Sequence, residues 1–196
     1  QPVMDCLPFK NGNNLLDLRK MPANAIPDKI DFKFVYEKNG EQKEFNKTDI
    51  PDSTWTFIRR EDVIIETGKN NEPPIKDFFI MTLSGVDTTE ALLNHNDPYY
   101  LFFIRDIKNE TDNWLNEFTD LYTFAKQKNR PVFVIASQGT AADQFFNRLN
   151  NFNITVLTCD DTALKTAART NPCLYLMNGP VVQDKWGWAD FQNAVE

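Results

Sequence analysis

The spacing of hydrophobic and polar positions changes rhythm near residue 75. Upstream, the clear signal has a period of two. Phe32, Phe34 and Tyr36 alternate with Lys33, Val35 and Glu37, and Asn39-Gly40 interrupts the pattern before it resumes over residues 41–45. An Asn-Gly pair between alternating segments predicts a β-hairpin, because both turn positions need positive φ. Residues 55–59 and 62–67 predict two further short strands. Residues 69–74, Lys-Asn-Asn-Glu-Pro-Pro, have the composition of a linker. Residues 1–28 hold Pro2, Pro8, Pro22 and Pro27, four of the eleven prolines. They predict an irregular arm, with a short helix within residues 13–21 carrying Leu15, Leu16 and Leu18.

Downstream, strand-like and helix-like periods alternate. Residues 77–83 predict a strand ended by Ser84-Gly85, and Leu92 with Leu93 mark a short helix. Residues 99–105 form an apolar run that suits a strand buried on both faces. Trp114, Phe118, Leu121 and Ala125 recur at helical spacing, behind a candidate N-cap at Thr111 or Asp112. Residues 132–136 predict a second buried strand. Thr140 with Asp143 suggests a helix start, its apolar face made by Phe145, Phe146, Leu149 and Phe152. Residues 154–157 predict a third strand, and residues 162–169 a short helix. A closing hairpin turns at Asn178-Gly179, and residues 190–195 predict a terminal helix. Strands alternating with helices indicate an α/β sheet.

Composition narrows the partners. At 196 residues, with 41% hydrophobic content and 16 phenylalanines, the chain can bury a substantial aromatic core without a staple. Its net charge of −7 argues against a nucleic-acid partner, which would need a basic stripe. No apolar run approaches the ~20 residues of a membrane span, so no direct span is expected in this chain. The opening Gln1-Pro2-Val3 lacks the basic and apolar start of a signal peptide, and a processed or partial chain is expected.

Cys6, Cys159 and Cys173 have no CxxC spacing, and with the single His95 they make no zinc site. His95 lies in a polar loop with no paired nucleophile. Asp160-Asp161 read as a helix cap before they read as metal ligands. No metal or cofactor is expected.

Two resemblances follow. Residues 77–87, the run Val156-Leu157-Thr158-Cys159-Asp160 with its following helix, Asn171-Pro172, and the Asn178-Gly179-Pro180-Val181-Val182 hairpin resemble the TlpA and peroxiredoxin branch of thioredoxin-like domains. This likeness covers roughly residues 75–191. It implies a mixed sheet flanked by helices and a cis bond before Pro172. Cys6-Leu-Pro-Phe-Lys-Asn-Gly-Asn-Asn, the Asn39-Gly40 hairpin, Leu164-Lys165-Thr166, Arg169-Thr170-Asn171-Pro172 and Lys185-Trp186 are similar to the soluble periplasmic region of certain bacterial DoxX-type membrane proteins. That second likeness implies a periplasmic module tethered to the inner membrane by a portion outside this chain. Where the pattern has a small residue after the proline, this chain has Cys173.

The resemblance also says where chemistry would sit. In redox-active thioredoxin-like domains the nucleophilic cysteine follows the first central strand at a helix N-terminus, where the dipole lowers its pKa. The matching stretch here, residues 105–112, has no cysteine, serine or histidine and three acids, Asp106, Glu110 and Asp112. Negative charge there opposes a thiolate. Asn171 takes the place that offers its backbone to a substrate, although Pro172 also serves simply to shape the turn. Arg169 and Lys165, with Lys185, Trp186 and Trp188, either line a groove beside the proline or form a solvated edge over core-covering tryptophans. Cys159 and Cys173 are either buried small hydrophobes or a reactive pair.

The expected architecture is therefore α/β: an N-terminal arm and hairpin extension over residues 1–74, then a thioredoxin-like domain over residues 75–196. The expected function is a non-catalytic module that docks a protein partner, either its own membrane portion or a redox protein, through Arg169, Asn171, Pro172 and Trp186. The alternative is a thiol oxidoreductase or peroxidase using Cys173 or Cys159.

Overall fold

The computed structural model describes residues 8–107 and 111–195, Asp112 by its backbone alone. The chain forms two compact units, one joining the residues up to Lys20 with those from Pro74 onward, the other spanning Met21–Pro73.

The smaller unit is a three-stranded antiparallel sheet. β1 (Lys29–Lys38) lies between β2 (Glu41–Asn46) and β3 (Thr56–Glu66). The expected hairpin is present: Asn39 and Gly40 both take positive φ, +54° and +82°. Phe34, Tyr36, Phe45, Trp55 and Phe57 pack as a chain of ring contacts on one face. The two short strands expected over residues 55–67 are one. Arg60 and Glu61 pair with Phe34 and Lys33 of β1, so the polar middle continues the ladder. Its charges stay solvated, with Arg59 bonded to Glu61 and Arg60 to Asp62.

The larger unit holds the expected mixed sheet, in the order β6-β5-β4-β7-β8. β4 (Tyr99–Ile104) pairs in parallel with β5 (Val132–Ala136), and β5 in parallel with β6 (Thr155–Thr158). On its other side β4 pairs antiparallel with β7 (Cys173–Asn178), which turns into β8 (Val181–Gly187). All six residues of β4 are buried. Tyr99, Leu101 and Phe103 join a core with Phe9, Leu15 and Tyr175, while Tyr100, Phe102 and Ile104 face Trp114, Phe118 and Phe146. The period of two thus feeds two cores from one strand.

Several elements differ from expectation. The start of the arm is part of the sheet unit, because Phe9 and Leu15 are buried there. Gly12 N–H donates to Val182 O at 2.8 Å and Leu15 N–H to Pro180 O at 2.8 Å, leading into α1 (Leu15–Leu18). The division between units therefore falls after Lys20 as well as near residue 74.

Residues 77–83 form no strand. Asp77 has φ +53°, and the ladder reaches β6 only at Met81, which exchanges two 2.8 Å bonds with Thr158. α2 (Thr89–Leu93) follows as expected. The proposed N-cap at Thr111 or Asp112 is a 3-10 turn over Thr111–Asn113, and α3 (Leu115–Gln127) begins after Trp114 with no side-chain cap.

Likewise, α4 (Gly139–Asp143) has no side-chain cap and runs into a π turn over Gln144–Leu149. The wider turn rotates the expected apolar face: Phe146 is 0% exposed and Leu149 74%. Before α5 (Asp161–Ala167), Asp160 is the expected cap. It accepts Thr162 N–H at 2.8 Å and Ala163 N–H at 3.2 Å. The last hairpin turns at Gly179-Pro180, one residue later than expected. Gly179 has φ +53° at the first loop position, where a two-residue hairpin of this kind needs it. The chain ends in a 3-10 turn over Trp188–Ala194.

Candidate functional site

The C-terminal ends of parallel strands leave a crevice in an open α/β sheet. Here β4 ends at Ile104 and β5 at Ala136. The segments that follow them line an open cavity of about 1030 Å³. Arg105, Asp106 and Ile107 come from the β4 end, and Ser137 and Gln138 from the β5 end. Ala141, Gln144, Phe145 and Leu149 come from α4 and the π turn, Asp161 and Lys165 from α5, and Asn171 from the loop before β7.

Asn171 locks this loop to the end of β4. Its Oδ1 accepts Arg105 N–H at 2.7 Å and Asp106 N–H at 3.4 Å. Its Nδ2 donates to Asp106 O at 3.0 Å. Ser137 Oγ donates to Arg105 O at 3.0 Å, tying the β5 end to the same residue. Both backbone polar groups of Arg105 are engaged, while its side chain lines the cavity. The Asn171–Pro172 bond is cis, as expected. Pro172 is buried, and its carbonyl accepts Thr170 Oγ1–H at 2.9 Å.

The residues singled out in sequence do not all meet. Asn171 and Lys165 line the cavity, and Lys165 pairs with Asp161 at 2.6 Å. Arg169 is exposed and outside the lining. Lys185 and Trp186 point to opposite faces of β8, as neighbours on a strand must. Lys185 Nζ donates to Phe9 O at 2.9 Å, whereas Trp186 and Trp188 pack against the core cluster that contains Phe102 and Phe118. The two tryptophans thus cover the core and leave the groove to other side chains.

Cys159 and Cys173 are both buried, 4% and 6% exposed, and no disulfide joins them. Burial pushes the Cys159 thiol up to about 12, with the Asp160 charge adding to the rise. Neither cysteine lines the cavity. Cys6 and residues 108–110, named in the sequence reading, lie outside the described residues. His95 Nδ1 lies 3.0 Å from the Asp97 carbonyl, and its ring packs near Tyr99. Among the described residues no cluster of His, Cys, Asp or Glu is suited to a metal ion, and no helix is long and apolar enough to cross a membrane.

The sequence reading missed Ser137, Gln138 and Gln144. Their signal was positional: Ser137 and Gln138 directly follow a buried parallel strand, where ligands gather in such sheets.

A family described as "Domain of unknown function (DUF8463)" matches residues 30–67, in the three-stranded unit. No match is found among curated proteins. Similar solved structures include reduced Prx3 of Vibrio vulnificus in complex with hydrogen peroxide, 14% identical over 62% of this chain and 96% of that one, with a TM-score of 0.48. A secreted Mycobacterium tuberculosis disulfide oxidoreductase homologous to E. coli DsbE is 20% identical over 61% and 92%, with a TM-score of 0.46. The thiol peroxidase of Chromobacterium violaceum is 10% identical over 61% and 80%, with a TM-score of 0.45.

Proposed function

We propose that this chain is a non-catalytic thioredoxin-like module that docks a protein partner in the cavity between the ends of β4 and β5. One observation carries the reading. The cavity lies where this fold would present a thiol, yet the described residues of its lining include no cysteine, and the Asn171 carboxamide is bonded across it to the Arg105 and Asp106 backbone. A thiol of pKa about 12 is almost wholly protonated at neutral pH, so Cys159 supports the same reading over an oxidoreductase. The partner we favour is a DoxX-type membrane portion of the same protein, or a redox protein, in the periplasm. The sequence likeness of residues 164–172 and 185–186 to such soluble regions supports that placement.

The rim residue Leu149, 74% exposed, gives the test. A photo-crosslinking amino acid replaces Leu149 in cells producing the full-length protein. A single discrete adduct that weakens at least several-fold with Asn171→Ala is expected. A diffuse smear, or an adduct indifferent to Asn171→Ala, overturns docking at this cavity.

A further inference from the structure

Among the described residues of the lining, Arg105 is the cation without a partner. Its Nε is buried without a hydrogen-bond partner, and no ion pair of Arg105 occurs among the described residues. The other cation of the lining, Lys165, already has Asp161 at 2.6 Å. Arg105 is half-buried, so its fork still opens to the cavity while Nε lacks an acceptor, and a carboxylate in the guanidinium plane supplies that acceptor and a second charge-assisted hydrogen bond. Around it the lining is neutral and polar at Gln138 and Gln144 and apolar at Ile107 and Phe145, with Asp106 the acid whose neighbourhood an anion would share. At about 1030 Å³ and open to solvent, the cavity sits at the upper end of the ~300–1,000 Å³ typical of small-molecule pockets, which favours a length of chain over a compact ligand.

We propose that Arg105 is the recognition residue of this cavity, binding a carboxylate carried by an extended peptide with apolar neighbours. The proposal rests on the docking reading above and gives it a chemistry. The carboxylate is either a chain terminus or an acidic side chain, and the fork of Arg105 reads both. Arg105 holds Asn171 and Ser137 through its backbone alone, and Asp106 also bonds Asn171 by its backbone, so replacing the Arg105 side chain leaves the clasp between the loops intact.

Calorimetric titration tests it on the full chain with three probes: an N-acetylated leucine-rich peptide ending in a free carboxylate, the same peptide ending in an amide, and an amide-ended peptide with one internal glutamate. Binding of the first alone assigns a chain terminus, and binding of the third assigns a side chain. In either case Arg105→Gln weakens it by about tenfold to a hundredfold, as for the loss of a hydrogen bond to a charged group, and Arg105→Lys falls between. Equal binding of acid and amide peptides, affinity unchanged in Arg105→Gln, or no binding by any probe overturns the proposal. The Leu149 adduct separates the two readings. An adduct that persists at full yield in Arg105→Gln while Asn171→Ala still weakens it leaves docking standing without a carboxylate. An adduct absent from the wild type removes the docking itself.

Discussion

Thr89 is a buried polar side chain with every partner accounted for. Its Oγ1 accepts Ile80 N–H at 2.7 Å and donates to Asp87 Oδ1 at 2.6 Å, and Asp87 Oδ1 also accepts Thr89 N–H at 2.8 Å. This clasp holds the segment before α2 without a sheet ladder. Thr89→Val removes the hydroxyl at nearly constant volume and strands the Ile80 N–H, a cost of about 1–3 kcal/mol in urea unfolding. Thr89→Ser keeps the bonds and loses one methyl, about 1 kcal/mol. At Cys159 the sign of the pH effect follows from the raised thiol. The unfolded thiol ionises near 9 and the folded one near 12, so unfolding releases a proton across that window. Stability held below pH 9 therefore falls as pH rises, with a contribution from this thiol approaching about 1.4 kcal/mol per pH unit, and Cys159→Ala removes that contribution. Little of this was readable from the residues alone. Asp160 as a cap was, because a cap is a local device, whereas the burial of Cys159 and the carboxamide bridge from Asn171 to residues 66 and 65 positions away are set by the fold.

Among the elements, the apolar runs and the Asn39-Gly40 turn were legible because each depends on neighbouring residues only. The segment at residues 77–83 was not: its apolar alternation buries Phe78 and Ile80, but Asp77 takes φ +53° and pairing with β6 is confined to Met81, so no strand forms. The π turn was illegible for a similar reason. A period of 3.6 places Phe146 and Leu149 on one face, and one wider turn parts them. The consequence is measurable. Phe146→Ala empties a site ringed by Phe102, Trp114 and Phe118 and costs about 3–5 kcal/mol in chemical denaturation. Leu149→Ala changes stability by no more than about 0.5 kcal/mol, and a loss comparable to that of Phe146→Ala places Leu149 back in the core.

At the scale of the molecule, the alternation of strands and helices led to a five-stranded mixed sheet, and the sheet determines where a cavity opens. The division into units was less visible. Phe9 and Leu15 belong to the sheet unit although some fifty residues of a separate unit intervene, and nothing in their local sequence marks that return. The candidate site shares this property. Lys165 and Asn171 were expected together and are together, while Trp186 was drawn away by the two-fold alternation of β8. What unites the site is a crevice whose described lining offers carboxamides, a hydroxyl, Arg105, Asp106 and the Asp161–Lys165 pair, with no thiol among them. The proposed lack of thiol chemistry is the claim most open to measurement. Dithiothreitol-driven insulin reduction and hydrogen peroxide consumption are compared between the wild type and a Cys159→Ala, Cys173→Ala variant. Equal rates, both at the uncatalysed level, are predicted, and wild-type turnover several-fold above a variant that has lost it contradicts the account.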